Sequence, residues 1–171
     1  AESDHADAYF GISVALAGDV NGDGYADVIV GASGFDNDPL NAGRAYVYHG
    51  TASGLSTTAN WTYGGTADFG FSVSTAGDVN GDGYAEVIVG AYLYNNGQAD
   101  EGRASVFQGS AAGLSASPNW TTESDQASSN FGFSVSTARD VNGDGFSDII
   151  IGAYMYDNFE TNEGRAFVFY G

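Results

Sequence analysis

The chain has 171 residues, 43% of them hydrophobic, which is enough for one domain with a buried core and too apolar for a solvated acidic tail. Its 22 acidic residues against 4 basic ones give a formal net charge of −18, which argues against nucleic acid and anionic membrane as partners and favours divalent cations. Cysteine is absent, so disulfides and thiolate metal sites are excluded, and no apolar run approaches the roughly 20 residues that span a bilayer.

The chain opens at Ala1-Glu2-Ser3-Asp4, without an initiator Met or a basic-then-apolar leader, as expected of a signal-stripped form or an excised fragment. After Phe10-Gly11, the residues Ile12, Val14 and Leu16 alternate with Ser13, Ala15 and Ala17. This period of two predicts a strand, and its small residues suit a crowded inner position. The acidic segment Asp19-Val20-Asn21-Gly22-Asp23-Gly24-Tyr25 predicts a tight loop. Val28-Ile29-Val30 then reads as a strand covered on both faces, ending in Gly31-Ala32. A variable polar stretch, 35–40, leads to Gly43-Arg44-Ala45 and the aromatic alternation Tyr46-Val47-Tyr48. Asn60-Trp61-Thr62 begins a fourth strand.

The same order of parts recurs twice more. Phe69-Gly70 and Phe131-Gly132 open the copies, and the acidic segment returns from Asp78 and from Asp140, with Phe146 in the aromatic place. Four strands in about 60 residues, with no helical periodicity, predict an all-β chain of β-propeller blades. A parallel β-helix has much shorter repeats. The expected organisation is a single domain of three blades, about 1–62, 63–121 and 122–171. The third copy stops at Gly171 before any Asn-Trp segment, so eleven strands are expected, with the last blade lacking its fourth. Three blades do not close a ring alone. A second chain completing a six-bladed homodimeric ring, or further blades of a longer array, would cover the open faces.

Oxygen donors at positions one, three, five and nine of a loop, with Gly at six, suit a hard cation. In the first copy Asp19, Asn21 and Asp23 converge, Gly24 makes the turn, Tyr25 offers its backbone carbonyl and Asp27 closes the shell. The second set is Asp78, Asn80, Asp82, Tyr84 and Glu86. The third is Asp140, Asn142, Asp144, Phe146 and Asp148. An all-oxygen set favours Ca²⁺ over zinc, copper or magnesium, and three ions per chain are expected. One such loop would read equally well as a turn that needs no metal. Three matched loops, using nine of the 22 acids, repel one another without a counter-ion. Glu86 in place of Asp, and Arg139 where Gly18 and Gly77 precede the other loops, predict that the sites differ.

Phe-Gly, the acidic loop and Gly-Ala in this order resemble the FG-GAP repeat of integrin α-subunit propellers and many bacterial surface proteins, over almost the whole chain. The resemblance implies propeller blades with Ca²⁺ in the hairpin between the first and second strands. It also implies a non-enzymatic, extracellular adhesion or ligand-binding module. Three copies depart from the integrin ring and leave ring size open.

In an antiparallel meander the acidic loops lie opposite the variable stretches 35–40, 92–98 and 154–162, where Tyr beside Asn and Asp suits a sugar or a polar protein surface. Plain solvated loops fit that composition equally. Arg44, Arg103 and Arg165 recur at one blade position and read as structural, paired with acids or stacked on aromatics. Trp61 and Trp120 read as packing between blades, which makes the Asn60 and Asn119 glycosylation sequons incidental. His5 and His49 stand alone, and no nucleophile elbow or phosphate-binding glycine loop is present. A self-assembling structural repeat and an accessory domain of a larger secreted enzyme remain the alternatives to a ligand-binding module.

Overall fold

Each repeat forms its own antiparallel sheet by pairing consecutive strands, as short connections between strands require. The computed structural model describes residues 2–35 and 42–171, all strand and loop. The first sheet runs β1 (Phe10–Gly18), β2 (Asp27–Ala32), β3 (Ala42–Tyr48) and β4 (Trp61–Thr66) in that order. The second runs β5 (Ser72–Gly77), β6 (Glu86–Ala91), β7 (Arg103–Phe107) and β8 (Trp120–Glu123). The third has only β9 (Phe131–Arg139), β10 (Asp148–Ala153) and β11 (Arg165–Phe169), so the last blade lacks a fourth strand. Register is the same in each: Val30 faces Val14 and Tyr46, and Val89 faces Val73 and Ser105.

The core lies between sheets. Ile29 and Val47 of the first blade pack with Phe69, Val87, Val89 and Phe107 of the second. Ile88 and Val106, on the other face of the second blade, pack with Phe131, Ile149 and Ile151 of the third. β6 is therefore buried along its whole length. This is the nearest-neighbour arrangement of a repeat protein, in which a blade is stabilised by the blades beside it.

The first strands β1, β5 and β9 stand side by side. Their close approach explains the repeated glycines. A Cβ on Gly31 would run into the Gly70 carbonyl, and one on Gly90 into the Gly132 carbonyl. The Phe-Gly pair of each blade thus docks onto the Gly-Ala pair of the blade before it, with Gly70 at φ 86° and Gly132 at φ 83°. For the same reason the small residues of β1 face inward: Ala17 is buried, and Ser13 Oγ accepts from Val73 N at 3.1 Å. The large ones turn out, with Ile12, Val14 and Leu16 49%, 65% and 63% exposed.

Candidate metal centres

The first acidic loop is folded by its own side chains. Asp19 Oδ1 accepts from Gly22 N at 2.7 Å and Asp23 N at 3.1 Å, while Oδ2 accepts from Gly24 N at 2.8 Å. Asn21 Nδ2 donates to Asp23 Oδ2 at 2.9 Å, and Asn21 Oδ1 accepts from Asp23 N at 3.1 Å. Asp23 Oδ1 accepts from Tyr25 N at 2.9 Å. The amide of Tyr25 and then the side chain of Asn21 hold the Asp23 carboxyl below the usual carboxylate range. Gly22 and Gly24, at φ 72° and 88°, let the chain turn sharply enough to present these amides.

The other loops repeat the pattern. Asp78 accepts from Gly81 N at 2.6 Å and Gly83 N at 3.0 Å, Asn80 donates to Asp82 at 3.0 Å, and Asp82 accepts from Tyr84 N at 3.0 Å. Asp140 accepts from Gly143 N and Gly145 N, Asn142 donates to Asp144 at 2.7 Å, and Asp144 accepts from Phe146 N at 2.9 Å. Positions one, three and five are thus joined in one place in all three blades.

Position nine is set apart from these half-buried and exposed groups by full burial. Asp27 accepts from Val20 N at 2.9 Å and from Gly50 N at 2.8 Å, tying the loop to the β3–β4 connection. Asp148 does the same with Val141 N at 2.7 Å and Gly171 N at 3.1 Å. Glu86 accepts from Val79 N at 2.8 Å and only distantly from Gly109 N, at 3.4 Å. Burial pushes Glu86 up to about 7 against those two amides, and Asp82 and Asp78 push in the same direction as burial. The donor set fits a hard divalent cation, because the side chains offer oxygen and each carboxylate keeps an oxygen that accepts only one N–H, with a lone pair to spare.

Neighbouring loops also touch. Asp19 O accepts from Ala85 N at 3.0 Å and Asp78 O from Ser147 N at 2.8 Å. A Cβ on Gly22 would lie 2.6 Å from the Tyr84 ring, and one on Gly81 2.6 Å from the Phe146 ring. The aromatic side chain at position seven therefore covers the loop of the preceding blade. Tyr25 belongs to the first blade and is 44% exposed.

On the opposite face the variable stretches are tied down. Asn95 Oδ1 accepts from Asp100 N, and Asp157 Oδ1 accepts from Asn162 N, both at 2.5 Å. Gln98 donates to Asp125 O at 2.6 Å and Gln126 to Asp157 O at 2.8 Å, linking these stretches to the β8–β9 connection. Phe71, Tyr92, Phe133 and Tyr154 form a chain of rings with centroids 4.4–5.0 Å apart. Burial, with Asp68 adding to it, pushes the Tyr92 hydroxyl up to about 12. Residues 36–41 lie outside the described residues, so Phe35 alone represents the first variable stretch. Arg44 lies 4.0 Å from the Phe35 ring centroid and Arg103 3.7 Å from that of Tyr94; Arg165 lies 4.8 Å from that of Phe167. Trp61 meets Phe107 and Trp120 meets Phe169, each across a blade junction.

A group that the motif reading passed over also lies on this face. Carboxylate oxygens of Glu101, Glu123 and Asp125 come within 4.8 Å of one another. The only signal in the sequence is Glu123-Ser124-Asp125, which repeats Glu2-Ser3-Asp4, and Glu before Gly-Arg in the second and third copies.

The FG-GAP repeat model matches residues 10–48, 69–107 and 131–169. The chain is 35% identical over 168 residues to Integrin alpha-PS2 of Drosophila melanogaster, covering 87% of this chain and 12% of that protein. It is 37% identical over 160 residues to Integrin alpha-IIb of Mus musculus, covering 86% of this chain and 15% of the relative. With Integrin alpha-5 of Xenopus laevis it shares 31% identity over 173 residues, covering 94% of this chain and 16% of the relative. The chain thus spans less than a fifth of the length of these relatives.

Proposed function

This chain belongs to the FG-GAP repeat family, and on that premise we propose that it is a calcium-binding, extracellular β-propeller module for adhesion or ligand binding, without catalytic activity. The observation that carries the reading is the loop repeated three times with the same residue types in the same hydrogen-bonded pattern. The three loops bind three Ca²⁺, one each. The ligands are Asp19, Asn21, Asp23, the Tyr25 carbonyl and Asp27 in the first loop. They are Asp78, Asn80, Asp82, the Tyr84 carbonyl and Glu86 in the second. The third uses Asp140, Asn142, Asp144, the Phe146 carbonyl and Asp148. Gathered carboxylates are relieved of mutual repulsion by the ion, which also fixes the hairpin at the head of each blade.

The chain acts as one domain of three blades, about 1–62, 63–121 and 122–171. Its open faces take further FG-GAP blades, either from a longer array or from a second copy closing a six-bladed ring. A protein or glycan partner meets the face opposite the calcium loops, where Tyr94, Asn96 and Tyr154 stand. Location outside the cell follows the surface proteins that the repeat resembles, and such loops suit the high free calcium found there.

Calorimetric titration with Ca²⁺ tests the loops one at a time. Asp19→Asn, Asp78→Asn and Asp140→Asn should each lower the number of ions bound by one. At a hundredfold excess of free ion over the dissociation constant, each occupied loop stabilises the fold by about 2.7 kcal/mol. Unchanged ion counts in all three variants would remove calcium from the reading.

A further inference from the structure

We propose a fourth cation site, of a kind separate from the loops, formed by Glu101, Glu123 and Asp125 at the junction of the second and third blades. Glu101 lies near the end of the β6–β7 connection of the second blade and is fully buried. Its Oε1 accepts from Asn96 N at 2.5 Å. Its Oε2 is buried and, among the described residues, has no hydrogen-bond partner. A carboxylate oxygen taken out of water without a donor is a high-energy arrangement, and a metal ion is the ligand that resolves it.

The surroundings supply the rest of such a site. Glu123 ends β8, and Asp125 follows at φ 56°, placed beside Glu101 by the turn into the third blade. Glu123 Oε1 accepts from Arg103 Nε at 2.7 Å, and its Oε2 accepts from Asn96 Nδ2 at 3.0 Å. Arg103 is thereby spent on Glu123. Three carboxylates against one guanidinium leave two negative charges uncompensated, the charge a divalent cation cancels. The ligands are held from behind. Ser124 Oγ and Ser129 Oγ both donate to the Glu101 carbonyl at 2.9 Å, and Gln98 Nε2 donates to Asp125 O at 2.6 Å. An all-carboxylate set with one exposed member selects Ca²⁺ over the nitrogen- and sulfur-seeking metals. Bound there, the ion pins the β6–β7 connection to the β8–β9 connection on the face opposite the acidic loops. The first junction cannot build the same site, since Ala42, Gly64 and Thr66 occupy the corresponding positions.

The experiment is a crystal structure of the whole chain grown in calcium chloride, with anomalous data collected at long wavelength. A calcium peak bounded by Glu101, Glu123 and Asp125 is expected. Absence of that peak overturns the proposal whether or not the loops carry peaks. Peaks at the loops are judged separately, so the two readings stand or fall apart. In solution, Asp125→Asn changes an exposed residue and should lower the calcium count by one, with the unfolding temperature in chelator unchanged. A count equal to that of the unaltered chain would overturn the assignment.

Discussion

Asp27 accepts two amide hydrogens, from Val20 and Gly50, and has no exposed surface, whereas Asp23 lies open to solvent at the loop tip. Both stand at proposed ligand positions of the same motif, but their surroundings differ. Asp27→Ala leaves two amides without an acceptor and should cost on the order of 3 kcal/mol in chelator. Asp23→Asn should weaken calcium uptake and leave the calcium-free stability nearly unchanged. Denaturant titrations of both variants, with and without calcium, check the split, and equal losses in chelator would erase it. Glu86 adds a pH dependence. Its folded value, raised by burial to about 7, lies above the ordinary 4.5. The folded state therefore binds the proton more tightly, and this stabilisation is present at low pH and lost as pH rises through about 7. Calcium-free protein should lose stability between about pH 5 and about pH 8, and Glu86→Gln should flatten that slope. A slope identical in the variant would assign the effect elsewhere. The loop residues were legible in the sequence because a nine-residue motif is local. Glu101 was not, because its significance depends on Glu123 and Asp125, which lie far along the chain at the end of β8 and in the connection after it.

The strands themselves follow from period-two alternation and β-branched runs, and β1, β2, β6 and β10 lie where that patterning puts them. What the pattern left open was which way they face. Alternation alone does not say which set of β1 side chains meets a neighbour; crowding favours the small set, and the contact face of β1 is the small one, since Ala17 and Ser13 meet the second blade. Spacing between inner strands decides this, and spacing is set by glycine. Gly90→Ala would drive a methyl group against the Gly132 backbone and the Ser72 hydroxyl. A backbone carbonyl on a paired strand cannot step aside, so a loss of about 3 kcal/mol is expected. Gly64→Ala is the control, since its nearest neighbour would lie 3.8 Å away. That change should stay within about 1 kcal/mol. Thermal unfolding of the pair, both with calcium present, tells the two apart, and equal shifts would mean that blade spacing yields to a methyl group.

At the scale of the whole molecule, burial is uneven because only the middle blade has a neighbour on each side. Ile12, Val14 and Leu16 lie open at one end, and Val168 and Tyr170 at the other. Repetition made these open faces foreseeable, but what can cover them depends on one residue. Gly18 and Gly77 precede the first two acidic loops, at φ 85° and 81°, and a Cβ on either would collide with Ala85 or Ser147 of the next blade. Arg139 holds the same place in the third blade at φ 58°. A second copy of the chain, approaching with the spacing used inside the molecule, would bring Ala26 against the Arg139 side chain. Arg139 thus weighs against a homodimeric ring and toward a neighbouring blade of different sequence. The net charge of −18 adds repulsion between copies, more strongly at low salt. Arg139→Gly removes the obstruction, although it also makes the chain one unit more negative. With calcium present and salt high enough to screen charge, the variant should associate at protein concentrations where the unaltered chain stays monomeric. Sedimentation velocity across a concentration series reads this directly. Identical distributions for the two proteins would show that Arg139 does not govern what docks on the third blade.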